Sequence, residues 1–321
     1  EVAYAELLGA KGCVSTSSGT TALLTALHVM GVDAGDEVIV SPYTFIATYN
    51  VVLMHKALPV FADTDPATLT MDPTTIESRI TDRTRAILPV HIYGMPCDMD
   101  PINAIARKRN LAVVEDACQA WTAEYKGRKC GTLGDLGCFS FQNSKHIPAG
   151  EGGAVSGMNQ ELLDRCWSYH NCGRAHGTFK GSGSFSRGTN YRMTHYQAAL
   201  LRQEIDKLVT DTKRRQENGD YLTAGLKEIP GVEPVRLPHG TAGRCLPHQR
   251  GAMGLDLADR VEDVIHVAAL GQQQGIEHPD GRLADLLVAL EFLETVAIGL
   301  EALGGEQTLV AARVDLSLIH I

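Results

Sequence analysis

The chain has 321 residues, of which 44% are apolar and 21% are charged, and its formal net charge is −9. This composition is typical of a soluble globular protein that is long enough for two domains. The negative charge argues against a nucleic-acid surface, and no uninterrupted apolar stretch has the length of a membrane span. The eight cysteines form no CxxC pair and no signal-peptide pattern is present, so we expect reduced thiols in a cytoplasmic protein.

Short apolar strands alternate with helices through the first part of the chain. The stretch GCVSTSSGTTALLTALHVMGV, residues 12–32, predicts a strand, a turn and then a helix with one apolar face. The same alternation predicts strands at 36–42, 57–65, 84–94 and 111–117, and helices at 45–55, 74–80 and 100–109. This pattern is typical of an α/β fold, in which a mostly parallel sheet is wrapped by helices.

The later part of the chain has longer helical segments. A helix is predicted from Gln160, and after a Gly/Ser-rich loop a long helix is predicted at 194–226. We therefore expect a large domain at 1–205, followed by a linking helix and a C-terminal segment at 206–321.

Polar residues lie where several predicted strands end. Asp116 ends a buried strand, the turn SSGTT at 17–21 joins a strand to a helix, and Phe45 follows a third strand. In parallel sheets these ends share one edge, where ligands collect. A buried carboxylate needs a cationic partner, and the free N–H groups of a helix start suit a phosphate. These features predict a cleft for a charged ligand.

Lys145 lies in FSFQNSKHIPAGEGGAV, residues 139–155, between an apolar strand-like run and a group of glycines. Taken alone, a lysine usually lies on the surface, and turns of the SSGT type and strand-end aspartates often have purely structural roles. Together, the lysine, Asp116, Ser140, the turn and Phe45 describe a pocket for a phosphorylated, protonated aromatic ring that carries an aldehyde. Pyridoxal phosphate fits this description.

Six stretches of the chain resemble the DegT/DnrJ/EryC1/StrS aminotransferases. They are SSGTTAL, GDEVIVSPYTFIAT, PVHIYGMPCDMDPI, VEDACQA, GTLGDLGCFSFQNSKHIPAGEGGAV and NYRMTHYQAAL. The likeness covers residues 1–237. It implies the three-layer, mostly parallel α/β large domain of the fold type I transferases, which use pyridoxal phosphate. It also implies transfer of an amino group from glutamate or glutamine to a nucleotide-linked keto sugar or a keto cyclitol.

The resemblance further implies roles for individual residues. Lys145 forms a Schiff base with the cofactor and later transfers a proton, while Asp116 pairs with the pyridine N–H and keeps the ring protonated. Gln119 contacts the ring hydroxyl, and Phe45 stacks on the ring. The phosphate contacts are Gly19, Thr20 and Ser140, together with Asn190 of the neighbouring subunit and Arg192 as a second contact. The resemblance therefore implies a homodimer with shared active sites, and we expect no metal ion.

Other functions stay open at this stage. The stretch FSFQNSK is close to that of a family branch that makes 3-amino-5-hydroxybenzoate by aromatisation, and some family members are regulatory proteins without catalysis. Members that dehydrate sugars replace the lysine with histidine, so Lys145 favours amination. His91, Tyr93 and the loop 174–188 are candidates for substrate contact, although packing or solvent exposure is the more common role of each. Cys166, His170, Cys172 and His176 are of metal-ligand type, but packing is favoured over a zinc site.

Both ends of the chain depart from the family pattern. Family members carry further residues before the position of Glu1, so we expect the natural N-terminus to lie upstream. After Pro238 the family's C-terminal domain is not recognisable, although a mainly helical region is predicted at 258–304. Two interpretations of this atypical C-terminal segment are open: a divergent domain, or a shifted reading frame in which the ending LSLIHI comes from a sequencing adapter.

Overall fold

The computed structural model describes residues 1–179 and 187–227, together with the backbone of 241–242. The helices in this part of the chain are α1 Val2–Leu8, α2 Gly19–Val29, α3 Ala47–Met54, α4 Pro73–Ile76, α5 Met99–Arg109, α6 Gln160–His170 and α7 His195–Lys227. The strands are β1 Gly12–Thr16, β2 Glu37–Val40, β3 Leu58–Phe61, β4 Thr84–Leu88, β5 Ala112–Asp116, β6 Glu124–Tyr125, β7 Arg128–Lys129, β8 Leu136–Ser140, β9 Gly153–Gly157 and β10 Thr241–Ala242.

Seven strands form one sheet in the order β1-β9-β8-β5-β4-β2-β3. The strands from β8 to β3 are parallel to one another, and β9 is antiparallel to both β8 and β1. As a result, β1 runs in the same direction as β8 and β5. The carboxyl ends of all the parallel strands and of β1 therefore lie at one edge of the sheet. The short strands β6, β7 and β10 form a separate sheet.

Helices cover both faces of the large sheet. Buried residues of α2, α3 and α6 pack with the strands on one face, and those of α1, α4, α5 and α7 pack on the other. Strands β2, β8 and β9 are buried throughout, and their sequences are runs of apolar and small residues except for Glu37, which pairs with Arg83 at the start of β2. This arrangement is the three-layer α/β fold that the alternation predicts.

Helix α2 shows how the apolar pattern becomes packing. Leu23, Leu24 and Leu27 are at most 6% exposed and join the apolar cluster on one face of the sheet. Burying three leucines contributes roughly 5 to 9 kcal/mol, and this is an upper value because the unfolded chain already buries part of that surface. The helix is thereby held with its first turn at the carboxyl edge.

Each predicted strand and helix within the described residues exists, with small shifts at the ends. The helix predicted at 45–55 begins only at Ala47, so Phe45 lies in the loop before it, and the one at 74–80 is α4 followed by a 3-10 turn at Glu77–Arg79. The short helix α1 was not predicted. The helical region predicted at 258–304 lies outside the described residues, and the division into 1–205 and 206–321 stays a prediction. None of the described helices is both long enough and apolar enough to cross a bilayer.

Candidate active site

A cavity of about 480 Å³ opens at the carboxyl edge of the large sheet. Seven of the nine residues that the sequence assigns to the cofactor line it: Gly19, Thr20, Phe45, Asp116, Gln119, Ser140 and Lys145. They come from the start of α2, the loop before α3, the segment after β5, and β8 with the loop that follows it. The cavity therefore exists because strands that are distant in sequence end at the same edge.

Asp116, the last residue of β5, forms a buried wall of the cavity and is 5% exposed. The Thr48 hydroxyl donates to its Oδ2 at 2.7 Å, and the N–H of Cys118 donates to its Oδ1 at 3.1 Å. Among the described residues, no cation forms an ion pair with this carboxylate. A buried carboxylate without a counter-ion is costly, so this position suits a ligand that brings a positive charge or an N–H donor.

The Cys118 thiol lies on the same wall. Burial, and next the negative charge of Asp116, raise the pKa of this thiol well above its ordinary value. The sulfur is therefore a neutral group at physiological pH.

The turn between β1 and α2 presents backbone N–H groups to the cavity. Ser18 caps α2: its hydroxyl accepts from the N–H of Thr21 at 3.1 Å, and its own N–H donates to the Thr21 hydroxyl at 2.9 Å. This capping box leaves the N–H groups of Gly19 and Thr20, for which the described residues provide no acceptor. A helix start with free N–H groups favours an anion, and phosphate in particular.

Two glycines allow this turn to pack closely against the sheet. A Cβ on Gly19 would lie 2.7 Å from the Ser140 Cβ, and a Cβ on Gly153 would lie 2.2 Å from the carbonyl oxygen of Ser18. Neither distance is possible for a real side chain, so only glycine fits at both positions. The Ser140 hydroxyl, at the end of β8, is thereby brought beside the first turn of α2.

Lys145 lies in the loop that joins β8 to β9. The loop is held by its own backbone, since the N–H of Lys145 donates to the carbonyl of Gln142 at 2.8 Å and that of Asn143 donates to Gly150 at 2.9 Å. The amine of Lys145 makes no hydrogen bond or ion pair with any described residue, and it lines the same cavity as Asp116. The cavity therefore holds an amine and a carboxylate that do not neutralise each other directly.

Gln119 is oriented by a backbone contact that the sequence did not predict. The N–H of Tyr93 donates to Gln119 Oε1 at 2.7 Å, so the amide NH₂ remains as a donor toward the cavity. Tyr93 has a φ of 53° in the turn Ile92–Gly94, a conformation that is unfavourable for a bulky residue. Its hydroxyl lies 2.9 Å from that of Tyr43, and neither tyrosine is part of the lining.

Phe45 and Asn190 occupy exposed positions. The Phe45 ring lines the cavity and is 66% exposed, which places it at the mouth. Asn190 and Arg192 are the two predicted cofactor residues that lie outside this cavity, and Asn190 Oδ1 accepts a hydrogen bond from Arg192 Nε at 3.0 Å. Arg192 lines a different cavity of about 370 Å³, between α1 and α7. Asn190 and Arg192 are both exposed at the surface. The resemblance to the family had implied that Asn190 contacts the phosphate of a neighbouring subunit.

His91 is buried away from the cavity, in agreement with the packing role that the sequence favours over a substrate contact. The N–H of Cys97 donates to His91 Nδ1 at 3.1 Å, which leaves the ring proton on Nε2, from where it is donated to Glu115 at 2.9 Å. The Glu115 carboxylate also accepts from the N–H groups of Gly131, Leu133 and Gly134. This network fixes the loop after β7 against β5. In the loop 174–188, residues 180–186 lie outside the described part.

Two groups of metal-ligand type fill structural roles. His91, Glu115 and Cys130 place their ligand atoms within 4.8 Å of one another, but the histidine and the carboxylate already accept protein N–H groups. In the other group, Cys166 is buried and Cys172 is exposed. The His176 ring stacks on the Trp167 ring, with 4.0 Å between the ring centroids. His170 Nδ1 lies 2.6 Å from the Trp167 carbonyl. The buried Cys166 and the partly exposed His176 agree with the expected packing cysteines and surface histidines, whereas Cys172 is exposed and His170 is buried.

The family model of the DegT/DnrJ/EryC1/StrS aminotransferase family matches residues 1–276. The chain belongs to this family. The match extends past Leu237, where the likeness visible in the sequence ends.

Two curated DegT/DnrJ/EryC1/StrS relatives indicate the chemistry of the family. GDP-perosamine synthase from Caulobacter vibrioides is 41% identical over 216 residues, which are 65% of this chain and 56% of that protein. The L-glutamine:2-deoxy-scyllo-inosose aminotransferase from Streptomyces lividus is 38% identical over 250 residues, which are 75% and 59% of the two chains. The chain thus spans little more than half the length of the curated relatives it matches.

Solved structures of the same fold support the assignment. The structure of S. venezuelae DesV in complex with a ketimine intermediate has a TM-score of 0.74 and 30% identity, and the match covers 93% of this chain and 80% of DesV. The 3-amino-5-hydroxybenzoic acid synthase has a TM-score of 0.72 and 33% identity, with 77% and 64% covered. The predicted fold type I large domain is confirmed by these neighbours.

Within this DegT/DnrJ/EryC1/StrS chain, sequence reasoning missed several residues of the cavity. Thr48 is the most important, because it is 1% exposed and hydrogen-bonds directly to Asp116. The available signal was its place in SPYTFIAT, three residues after Phe45 and therefore in the first turn of α3. The other polar cavity residues that were missed are Thr44, Cys118, Gln142, Ser144 and Glu151.

Proposed function

We propose that this member of the DegT/DnrJ/EryC1/StrS family is a pyridoxal-phosphate-dependent aminotransferase. The amino donor is glutamate or glutamine, and the acceptor is a keto cyclitol or a nucleotide-linked keto sugar. One observation carries the proposal: a single cavity combines an unpaired amine, a buried carboxylate without a cation and a helix start with free N–H groups. The acceptor class rests on the names of the two curated relatives.

The residues of the cavity fit pyridoxal phosphate. The free N–H groups of Gly19 and Thr20, with the Ser140 hydroxyl, match the donors that a phosphate needs. Asp116 matches a protonated ring nitrogen, and the amide NH₂ of Gln119 matches the ring hydroxyl. A cavity of about 480 Å³ is of the size that small-molecule and cofactor sites have.

When bound, pyridoxal phosphate supplies an aldehyde that combines with amines and a ring that withdraws electrons. The chain's own residues then have distinct tasks. The amine of Lys145 would bind the aldehyde and would accept a proton from the donor's α-carbon. The carboxylate of Asp116 keeps the ring nitrogen protonated, so that negative charge is drawn away from that carbon. Phe45 covers the mouth of the cavity and limits access of water.

The proposal includes a homodimer in which Asn190 serves the phosphate of the neighbouring subunit. An apolar surface beside the cavity supports a second copy there. We call it the α3–β3 surface, because its residues belong to α3, to the loop before α3 and to β3, which is the last strand of the large sheet. Each of its side chains is between 43% and 66% exposed: Phe45, Ile46, Leu53, Met54, Leu58 and Phe61. Such contiguous apolar surfaces mark interaction sites. The seven cysteines among the described residues are free, which agrees with our proposal of a cytoplasmic location.

The test of the proposal is uptake of the cofactor by the purified chain. The wild-type chain is expected to develop the visible absorbance of lysine-linked pyridoxal phosphate, and Lys145→Ala is expected to abolish it. Lys11→Ala removes an exposed lysine outside the cavity and serves as the matched control. A chain that stays colourless, or a Lys145→Ala variant that keeps the absorbance, contradicts the proposal and favours a non-catalytic protein.

The amino donor and the acceptor are then identified separately, each in its own half-reaction. Glutamate or glutamine is expected to convert the bound cofactor to its amine form, and a cyclitol ketone or nucleoside-diphosphate keto sugar is expected to restore the aldehyde form. Release of an aromatic product without net amino transfer would instead support the synthase of 3-amino-5-hydroxybenzoate.

A further inference from the structure

Asp116 is held by hydrogen bonds from two different elements. The N–H of Cys118, just after β5, donates to one carboxylate oxygen, and the hydroxyl of Thr48, in the first turn of α3, donates to the other. Thr48 and Asp116 are 1% and 5% exposed, so water does not replace either contact. The two donors together fix the rotation of the carboxylate, whereas either one alone leaves it free to turn.

The direction of the hydrogen bonds can be derived from the chemistry of the groups. A carboxylate only accepts, so Thr48 must give its single hydroxyl proton to Asp116. The Thr44 hydroxyl lies 2.7 Å from Thr48 Oγ1 and must therefore be the donor in that pair. The result is an ordered chain from Thr44 through Thr48 to Asp116, along one turn of the backbone at the start of α3.

This chain also connects two parts of the cavity. Phe45 lies between Thr44 and Thr48 in sequence, and the N–H of Thr48 donates to the Phe45 carbonyl at 3.0 Å. The bond between Thr48 and Asp116 therefore ties the loop that carries the aromatic ring to the strand end that carries the carboxylate. A cofactor ring that contacts both groups depends on their relative position.

We propose that Thr48 is a positioning residue for the cofactor, which fixes the orientation of the Asp116 carboxylate, and that Thr44 supports it by donating a hydrogen bond to the Thr48 hydroxyl. The inference rests on the proposed function, since Asp116 acts there on the ring nitrogen of pyridoxal phosphate. Without the Thr48 hydroxyl, one carboxylate oxygen has no donor among the described residues, and the carboxylate is free to turn away from the ring.

The experiment compares two substitutions that separate shape from hydrogen bonding. Thr48→Val keeps the size and the branching but removes the hydroxyl, whereas Thr48→Ser keeps the hydroxyl and removes a methyl group. A hydrogen bond to a charged group corresponds to a change of about ten- to a hundredfold in an equilibrium constant. We therefore expect Thr48→Val to bind pyridoxal phosphate about ten- to a hundredfold more weakly, and Thr48→Ser to remain within about threefold of the wild type.

Two measurements are made on the purified full chain: titration of the visible absorbance with pyridoxal phosphate, and the rate of the glutamine half-reaction at saturating glutamine. Thr122→Val is the matched control, because it removes a hydroxyl from another buried threonine pair, Thr122 and Thr212, which lies outside the cavity lining. It is expected to change neither value. If Thr48 has a purely structural role, the order of the two affinities is reversed: Thr48→Val binds the cofactor like the wild type, and Thr48→Ser binds it more weakly.

The outcomes distinguish the two proposals. If the wild type takes up the cofactor and Thr48→Val binds it equally well, or if Thr48→Ser loses as much affinity as Thr48→Val, the inference is wrong while the proposed function stands. A wild-type chain that takes up no cofactor overturns the proposed function and the inference with it. If Thr48→Val does not fold, Thr44→Val provides the test, and we expect it to bind pyridoxal phosphate about two- to tenfold more weakly than the wild type. An unchanged affinity in that variant overturns the inference.

Discussion

Replacement of Gly153 by alanine is expected to displace the start of α2 and to weaken cofactor binding. The added Cβ would lie 2.2 Å from the carbonyl oxygen of Ser18, 2.4 Å from its carbonyl carbon and 2.7 Å from the nitrogen of Gly19. Carbon and oxygen ordinarily approach to about 3.3 Å, so the turn must move by roughly 1 Å. The blocking atoms belong to the backbone, and no change of side-chain rotamer relieves the overlap.

The cost follows from this geometry. Overpacking of a well-packed interior costs about 1 to 3 kcal/mol, and we expect a value near the upper end because the backbone itself must shift. In a domain of this size, about 3 kcal/mol corresponds to a fall in Tm of roughly 6 to 12 °C. A shift of the free N–H groups by roughly 1 Å also takes them out of hydrogen-bond range of a bound phosphate, so affinity for pyridoxal phosphate should fall about tenfold or more.

The assay is thermal unfolding with and without pyridoxal phosphate, together with the absorbance titration. Gly12→Ala is the matched control, because its Cβ would contact only the end of the Leu163 side chain, at 3.0 Å, and that methyl group can move. The control is expected to lose little stability and no cofactor affinity. If Gly153→Ala unfolds at the wild-type temperature and binds the cofactor normally, the packing of this turn against β9 does not have the role described above.

Two further predictions concern stability. Burial, and then the charges of Arg187 and His55, lower the pKa of His28 from 6.5 to about 4, so the unfolded chain binds this proton at a higher pH than the folded chain does. The free energy of unfolding should therefore fall as the pH decreases from 6.5 to 4, by at most about 3 kcal/mol. Urea unfolding at pH 7 and pH 4.5 measures this fall, and we expect it to be smaller in His28→Gln than in the wild type. An equal fall in both proteins contradicts the assignment to His28. Gly225 lies within α7, and no atom of the described residues is within 4 Å of the position that a Cβ would occupy. Gly225→Ala should therefore stabilise the helix by about 0.5 to 1 kcal/mol and raise Tm. A lower Tm would show that a side chain at this position meets other atoms.

The fold could be predicted from the sequence wherever a local pattern determines it. The apolar stripe of α2 and the apolar runs of β4 and β5 carry their own periodicity, and each element lies where it was predicted. The position of β9 was not predictable in this way. Its insertion between β8 and β1, antiparallel to both, depends on pairings between distant segments, such as Gly12 with Gly157.

The same distinction applies to the site. Lys145, Asp116 and the turn at Gly19 were predicted because their residue types and their places at strand ends suggest specific chemistry. Thr48 was missed because a threonine in a helix start is usually a cap or a surface residue, and its partner is 68 positions away in sequence. For His91 the sequence favoured packing over a substrate contact, but it did not reveal that the ring hydrogen-bonds to the buried carboxylate of Glu115.

The position of β9 also has a consequence for synthesis on the ribosome. The first strand of the large sheet, β1, pairs only with β9 among the described strands, so it has no place in the sheet until residue 157 has left the exit tunnel. Strands β2 to β5 are able to associate earlier, because their neighbours are close in sequence. A nascent chain that is interrupted before β9 therefore exposes its N-terminal strand to proteases and chaperones.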